Sequence, residues 1–120
     1  MLWAVGFMVE STADLQKWRF RQIPSNKGKF IQTGLWKYSR HPNYFGEMVV
    51  WFGIWMSSLS SLPSRGLKGI ALASPLFVTF LLCKVSGVPL LEEAADAKWG
   101  NLREYQVYKQ GTRLLLPIPK

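Results

Sequence analysis

The sequence predicts an all-α integral membrane bundle: a two-span helical hairpin flanked by amphipathic helices on the cytoplasmic side. Three observations lead there. Of the 120 residues, 48% are apolar and 14% aromatic, yet the net charge is +8. The charge is gathered in blocks: seven of the fifteen Lys and Arg fall between Lys17 and Arg40, and five between Lys98 and Lys120. Between the blocks lie two apolar runs, Met48 to Leu62 and Leu67 to about Leu82, almost free of charge. A hairpin that crosses a bilayer twice returns its chain to one side, and the positive-inside rule makes that side cytoplasmic. Arg65 and Lys68, in the opposite turn, run against this pattern. A basic balance also suits nucleic acid, but no recognition helix or RNA-binding motif accompanies it, so no nucleic-acid partner is expected. The length allows one domain, and no repeat, low-complexity tract or linker divides it.

The elements follow in order. From Leu2 to about Phe20 the pattern suits a helix leaving the membrane. Its apolar start gives way to Glu10, Asp14, Lys17 and Arg21, spaced by four, three and four so that they share a face. Such a face is either solvated, with ordinary intrahelical ion pairs, or turned to a ligand. Met1 to Val9 lacks the basic leader and cleavage site of a signal peptide and looks like the end of a membrane helix, so N-terminal truncation is expected. Ile23 to Phe30 reads as a loop from Pro24, Ser25, Asn26 and Gly28, and Ile31 to Lys37 as irregular chain broken at Gly34. Pro42 can occupy the first turn of a helix that runs to about Ser60. Tyr44 to Pro63 would make about 30 Å of helix, the thickness of a bilayer core. Its one charge is Glu47, and Trp36, Tyr38 and Tyr44 fall where an interfacial aromatic belt belongs. After a turn at Leu62–Gly66, the second apolar run contains Pro75, which membrane helices tolerate. Ser86-Gly87-Val88-Pro89 is expected to break it. Leu90 to about Tyr108 then reads as an amphipathic helix with Glu92, Asp96, Trp99 and Arg103 on one face and Gly100-Asn101 as its weak point. The tail, Leu114 to Lys120, should be extended and packed back on the helices. Cys83 is the sole cysteine, a small buried hydrophobe with no partner for an intramolecular disulfide.

The densest chemistry lies in Gly34-Leu35-Trp36-Lys37-Tyr38-Ser39-Arg40-His41-Pro42-Asn43-Tyr44-Phe45-Gly46-Glu47. Polar groups at the mouth of a membrane segment are costly unless used. Arg40 and Asn43 beside a helix start offer donors to phosphate or amide groups, and the helix N-terminus adds free N–H groups. Tyr44 offers a hydroxyl and a ring face; Glu47 can accept from a ribose or an amide. The alternative is that Arg40 is an interfacial anchor and Glu47 pairs with it. His41, the only histidine, is a poor metal site without companions and reads as a group that hydrogen-bonds to fix the turn before Pro42. No nucleophile elbow, GxGxxG or Walker loop is present, so a nucleotide site here would be of a membrane-embedded kind.

That run closely resembles the signature of the DUF1295 membrane proteins, within the steroid 5α-reductase C-terminal domain group. Glu10-x3-Asp14-x2-Lys17, Gly28-Lys29-Phe30, Ser86 to Glu92, and Tyr105-x2-Tyr108 through Leu116-Pro117 are also similar to that group. The resemblance implies an all-helical membrane fold with NADPH as hydride donor and a lipid or steroid-like substrate carrying an activated C=C bond. Its cofactor contacts carry over to Asp14, Arg21, Asn43 and Glu47, with Tyr44 and Lys29 beside them, and a late segment to the face of Glu92, Asp96 and Arg103; Arg40 joins them from its own place at the helix start. It implies no metal and names no catalytic acid here, because the relatives' earlier membrane helices hold the groups that polarise the substrate. Those helices, or a second copy of the chain, are the expected partners. The expected location is multi-pass in a membrane, the endoplasmic reticulum if eukaryotic or the inner membrane if bacterial. Isoprenylcysteine carboxyl methyltransferases share Arg40-His41-Pro42-x-Tyr44 and a late Glu92-Glu93 pair, so an S-adenosylmethionine-dependent enzyme is the alternative. An inactive membrane module left by truncation is the third reading.

Overall fold

The computed structural model describes residues 2–119; Met1 and Lys120, the ends of the expected first helix and tail, lie outside them. Among the described residues the chain is all-helical: α1 (Leu2–Gln22), α2 (Pro42–Ser58), α3 (Arg65–Ala71), α4 (Ala73–Phe80), α5 (Gly87–Trp99) and α6 (Arg103–Gly111). The one extended pairing is an isolated parallel bridge between Ser39 and Arg113.

α1 and α2 run antiparallel in close contact, and small residues allow it. A Cβ on Gly6 would sit 2.5 Å from the Val50 backbone nitrogen, and one on Gly46 2.5 Å from that of Glu10. Gly53 meets the Trp3 backbone in the same way. Gly46 and Gly53 are seven apart on α2, as are the buried Gly6 and Ala13 on α1, so each helix returns a small residue to the seam every two turns. On the other side of α2 the chain turns back. The Trp55 indole N–H donates to the Lys68 carbonyl (2.9 Å), and Tyr44 lies against Gly87 at the far end. Ser64 caps α3 through its hydroxyl, which accepts from Leu67 N–H at 3.1 Å.

Prolines segment the returning run. Pro75 and Pro89 have no N–H to give Ala71 and Val85 four residues back, and each stands in the first turn of a new helix, α4 and α5. The expected break at Ser86–Pro89 is therefore milder than a loop. Leu81–Val85 forms a π turn, closed by Ser86 N–H to the Leu81 carbonyl at 2.8 Å, and the helix resumes at Gly87. Arg65–Trp99 is thus one helical run of 35 residues, long and apolar enough to cross a membrane, and only 6% of its most apolar stretch is buried. The chain has no other helix of that length and apolarity among the described residues. α2 ends at Ser58, earlier than expected, and continues as one 3-10 turn, Leu59–Ser61.

Two further expectations are corrected. The amphipathic helix expected over Leu90–Tyr108 is two helices, and Arg103 opens the second, so it does not continue the face of Glu92 and Asp96. Trp36 is no interfacial belt residue: it is 4% exposed and packs with Ala13 and Ile31, its indole N–H donating to the Ala13 carbonyl at 3.0 Å. The tail is held back on the body as expected, by its backbone: Arg40 N–H donates to the Arg113 carbonyl and His41 N–H to that of Leu114.

The molecule measures 54 × 24 × 24 Å, with a radius of gyration of 16.6 Å against about 14 Å for a compact chain of this length. Its accessible surface, 8000 Å², likewise exceeds the roughly 6,600 Å² of a compact monomer of its mass. On the bundle much of the exposed surface is apolar: Val5, Phe7, Met8, Trp51, Ile54, Ile70, Phe77 and Phe80 face outward.

Candidate cofactor site

At the polar end of the bundle lies a cavity of about 620 Å³, within the usual range for small-molecule sites. One wall is the end of α1 with the loop that follows, from Lys17 through Ile31; the other is α5, with Tyr105 and Tyr108 of α6. Two αL glycines shape it. Gly28 (φ 79) turns the loop so that its carbonyl accepts the Trp99 indole N–H at 2.8 Å. Gly34 (φ 63) sits against the Gln16 side chain, whose Oε1 accepts Leu35 N–H at 3.0 Å. Phe30 joins the walls, with ring centroids 5.7 Å from Trp99, 5.1 Å from Tyr105 and 5.4 Å from Tyr108. The Tyr108 hydroxyl donates to the Trp36 carbonyl at 2.6 Å, tying α6 to the turn before α2. Burial pushes the Tyr108 phenol far above its usual range and that of Tyr105 up less, so both stay protonated donors.

The lining is cationic. Lys17, Arg21, Lys27, Lys29, Arg40 and Lys98 face one carboxylate, Glu92. Arg40 takes that carboxylate in an ion pair, both side chains being largely buried. Arg40 therefore does not pair with Glu47. Burial alone would push the Glu92 carboxyl up; the His41 imidazole and the Arg40 guanidinium outweigh it and hold the carboxyl below the usual range. Burial lowers the Lys17 ammonium, and Arg21 lowers it further; Asp14 offsets part of this. Lys17 lies 4.9 Å over the Trp36 ring. A cavity of this kind favours a polyanion with a stackable group.

His41 differs from expectation. Its backbone N–H, not its ring, fixes the turn, donating to Ser39 Oγ (3.2 Å) as well as to the Leu114 carbonyl. The ring is stacked on Tyr44 (5.8 Å between centroids), and its Nε2 is buried, 3.6 Å from Glu92, with no hydrogen-bond partner.

The expected site residues fall into three places. Arg21, Lys29, Arg40 and Glu92 line the cavity. Asp14, Tyr44 and Glu47 gather instead between α1 and α2, close enough to Glu10 and to each other to interact electrostatically. Asn43, one turn before Glu47 on α2, has its Oδ1 buried and unpartnered. Asp96 turns outward and pairs with Lys109 (2.9 Å). The sequence reading overlooked Lys17, Phe30, Trp99, Tyr105 and Tyr108 as site residues. A signal for the last four was present: aromatics in segments otherwise polar need partners, and Tyr105 and Tyr108 are three apart on one helical face. No group of three or more residues able to hold a metal occurs among the described residues.

The sequence profile described as a protein of unknown function, DUF1295, matches residues 1–112. Among curated proteins, the 3-oxo-5-alpha-steroid 4-dehydrogenase 1 of Mus musculus is 28% identical over 117 residues, 98% of this chain and 40% of the mouse protein. The Homo sapiens protein of the same name is 26% identical over 98% of this chain and 39% of its own. A probable O-methyltransferase of Ustilaginoidea virens is 33% identical over 73 residues, 61% of this chain and 24% of that protein. The chain thus spans about two fifths or less of the length of these relatives. No solved structure matches.

Proposed function

The chain belongs to the DUF1295 family, and from that premise we propose that it is the cofactor-binding half of a membrane-embedded, NADPH-dependent reductase acting on a C=C bond of a lipid or steroid-like substrate. The observation that carries this reading is the cavity. Five basic side chains besides Arg40 surround one carboxylate that Arg40 already neutralises, and a cluster of aromatic rings forms the opposite wall. Charge-assisted contacts from Arg21, Lys29 and Arg40 would hold the phosphates, with Lys17 and Lys27 beside them. Asn43 and Glu47, with Asp14 and Tyr44, would hold ribose or amide groups on the far side of His41. The buried, unpartnered Oδ1 of Asn43 fits a polar ligand atom there. Bound there, NADPH would supply the hydride, and these residues would orient it and keep water from it.

The membrane belongs to the same proposal. α2 with its 3-10 turn is about 31 Å long, and the apolar part of the returning run, residues 67–85, lies beside it. Outward-facing Trp51, Ile54, Ile70 and Phe77 need an apolar medium, which a bilayer provides. Residues that complete the substrate side would come from segments such as those the longer relatives possess, or from a second copy.

The likeness to an O-methyltransferase supports a second reading, in which S-adenosylmethionine is the cofactor. The cationic lining suits a phosphate-rich ligand better than a sulfonium. Titrating the detergent-solubilised protein with both ligands decides. NADPH binding without S-adenosylmethionine binding is expected; the reverse establishes the methyltransferase, and binding of neither leaves a module without a cofactor.

A further inference from the structure

A second recess, of about 410 Å³, lies beside the tail and is lined by Arg40, Thr112, Arg113, Leu114, Leu115 and Leu116, with no acidic residue. Two of its residues carry buried polar atoms without partners: Nε of Arg40 and Nε of Arg113. Arg40 gives a terminal nitrogen to Glu92 on the cavity side, whereas the Arg113 side chain makes no ion pair among the described residues. Buried guanidinium nitrogens left unbonded cost free energy that an oxyanion would recover.

The tail also fixes the height of this recess. Arg113 bridges Ser39, three residues before α2 begins at Pro42. In the membrane reading proposed above, that is the level where lipid gives way to water. The bridge is parallel, and the tail bends just beyond it, at Leu114 and Leu115. Beyond Arg113, Leu114, Leu116 and Ile118 alternate with less exposed residues and leave an apolar edge uncovered. A cation followed by an exposed apolar edge offers a phospholipid one contact for its phosphate and one for an acyl chain.

We propose that this recess binds a phospholipid of the surrounding leaflet, its phosphate held by Arg113 with Arg40 and an acyl chain lying along Leu114, Leu116 and Ile118. The proposal rests on the membrane reading but not on the cofactor. It uses the edge of Arg40 that the cavity does not.

The test uses the full chain in detergent and a fluorescent phosphatidylglycerol as probe. The wild type binds it; Arg113→Gln, which keeps the backbone bridge, weakens binding at least tenfold, and Arg113→Lys restores part of the loss. Unlabelled phosphatidylglycerol competes, while diacylglycerol with the same chains and inorganic phosphate alone do not. Equal binding by wild type and Arg113→Gln overturns the proposal, as does competition by diacylglycerol, which would mark a purely apolar groove. Competition by inorganic phosphate at matched concentration overturns the lipid as the source of the anion. Extraction of the wild-type protein from membranes by alkaline carbonate without detergent would instead sink the membrane reading, whatever the variants do.

Discussion

The two ends of this molecule treat large apolar side chains in opposite ways. In the bundle the seam between α1 and α2 is made of glycines, and Trp3, Phe7, Trp51 and Ile54 point away from it. At the polar end the big rings turn inward. Trp36 is buried with its N–H bonded, and Trp99, Phe30, Tyr105 and Tyr108 close around the cavity; Trp18 and Tyr38, both exposed, are exceptions. Water drives rings inside, so the collar is built for water. In the membrane reading proposed above, a bundle with small residues at its contacts and large ones on its outside suits lipid, where close backbone approach holds helices together.

Substitutions can break or sharpen this contrast. The largest effect is expected from Trp36→Ala, which empties the collar's core and removes its bond to Ala13. About 3–5 kcal/mol of stability should be lost, read as a fall in thermal midpoint in detergent. A paired experiment is next. Phe77 and Val107 are each 60% exposed, one on the bundle and one on α6. Phe77→Asp should cost about 2.5–3.5 kcal/mol in an insertion assay, the price of a carboxylate in lipid, whereas Val107→Asp should stay within about 0.5 kcal/mol. Equal tolerance of both would end the distinction between the two ends.

Glu92→Gln probes the join between collar and bundle. It leaves Arg40 without its anion and should cost about 2 kcal/mol. The pair also has a pH signature. Burial raises the Glu92 carboxyl, but His41 and Arg40 bring it below the ordinary carboxyl value of 4.5. A folded value below the unfolded one contributes stability that is fully present above about pH 4.5 and is lost as pH falls through the folded value. Acid titration of unfolding should show this loss in the wild type and a smaller one in Glu92→Gln. The smallest effect is expected from Lys29→Ala, which should weaken NADPH binding by about 1 kcal/mol, with a shallower salt dependence, and leave the thermal midpoint unchanged. A shifted midpoint with unchanged affinity would make Lys29 a structural residue.

Much of the helical layout was legible because punctuation is local. Pro42 starts α2 and Gly100 ends α5, each acting through its own backbone; Ser64, expected within a turn, instead caps α3. What escaped is what distance along the chain hides. The partner of Arg40 is Glu92, 52 residues away, while Glu47 was the nearer acid. Trp36 was assigned to the lipid boundary because it precedes an apolar run, but Ala13 lies on another helix and supplies the space that buries it. Ser86–Pro89 looked like a break because proline cannot donate; a π turn accommodates that loss and lets the axis continue. The basic and acidic site residues were noticed singly, and periodicity could not say that His41 would stand between two groups of them.

The tie between Ser39 and Leu114 has a consequence for how the protein is made. Seventy-five residues separate the two. At ordinary rates of synthesis the ribosome needs about 4–15 s to travel that far. Throughout this interval the Arg-His-Pro turn has already been made but the N–H groups of Arg40 and His41 lack their carbonyl partners on the tail, so its final shape is among the last features the nascent chain acquires.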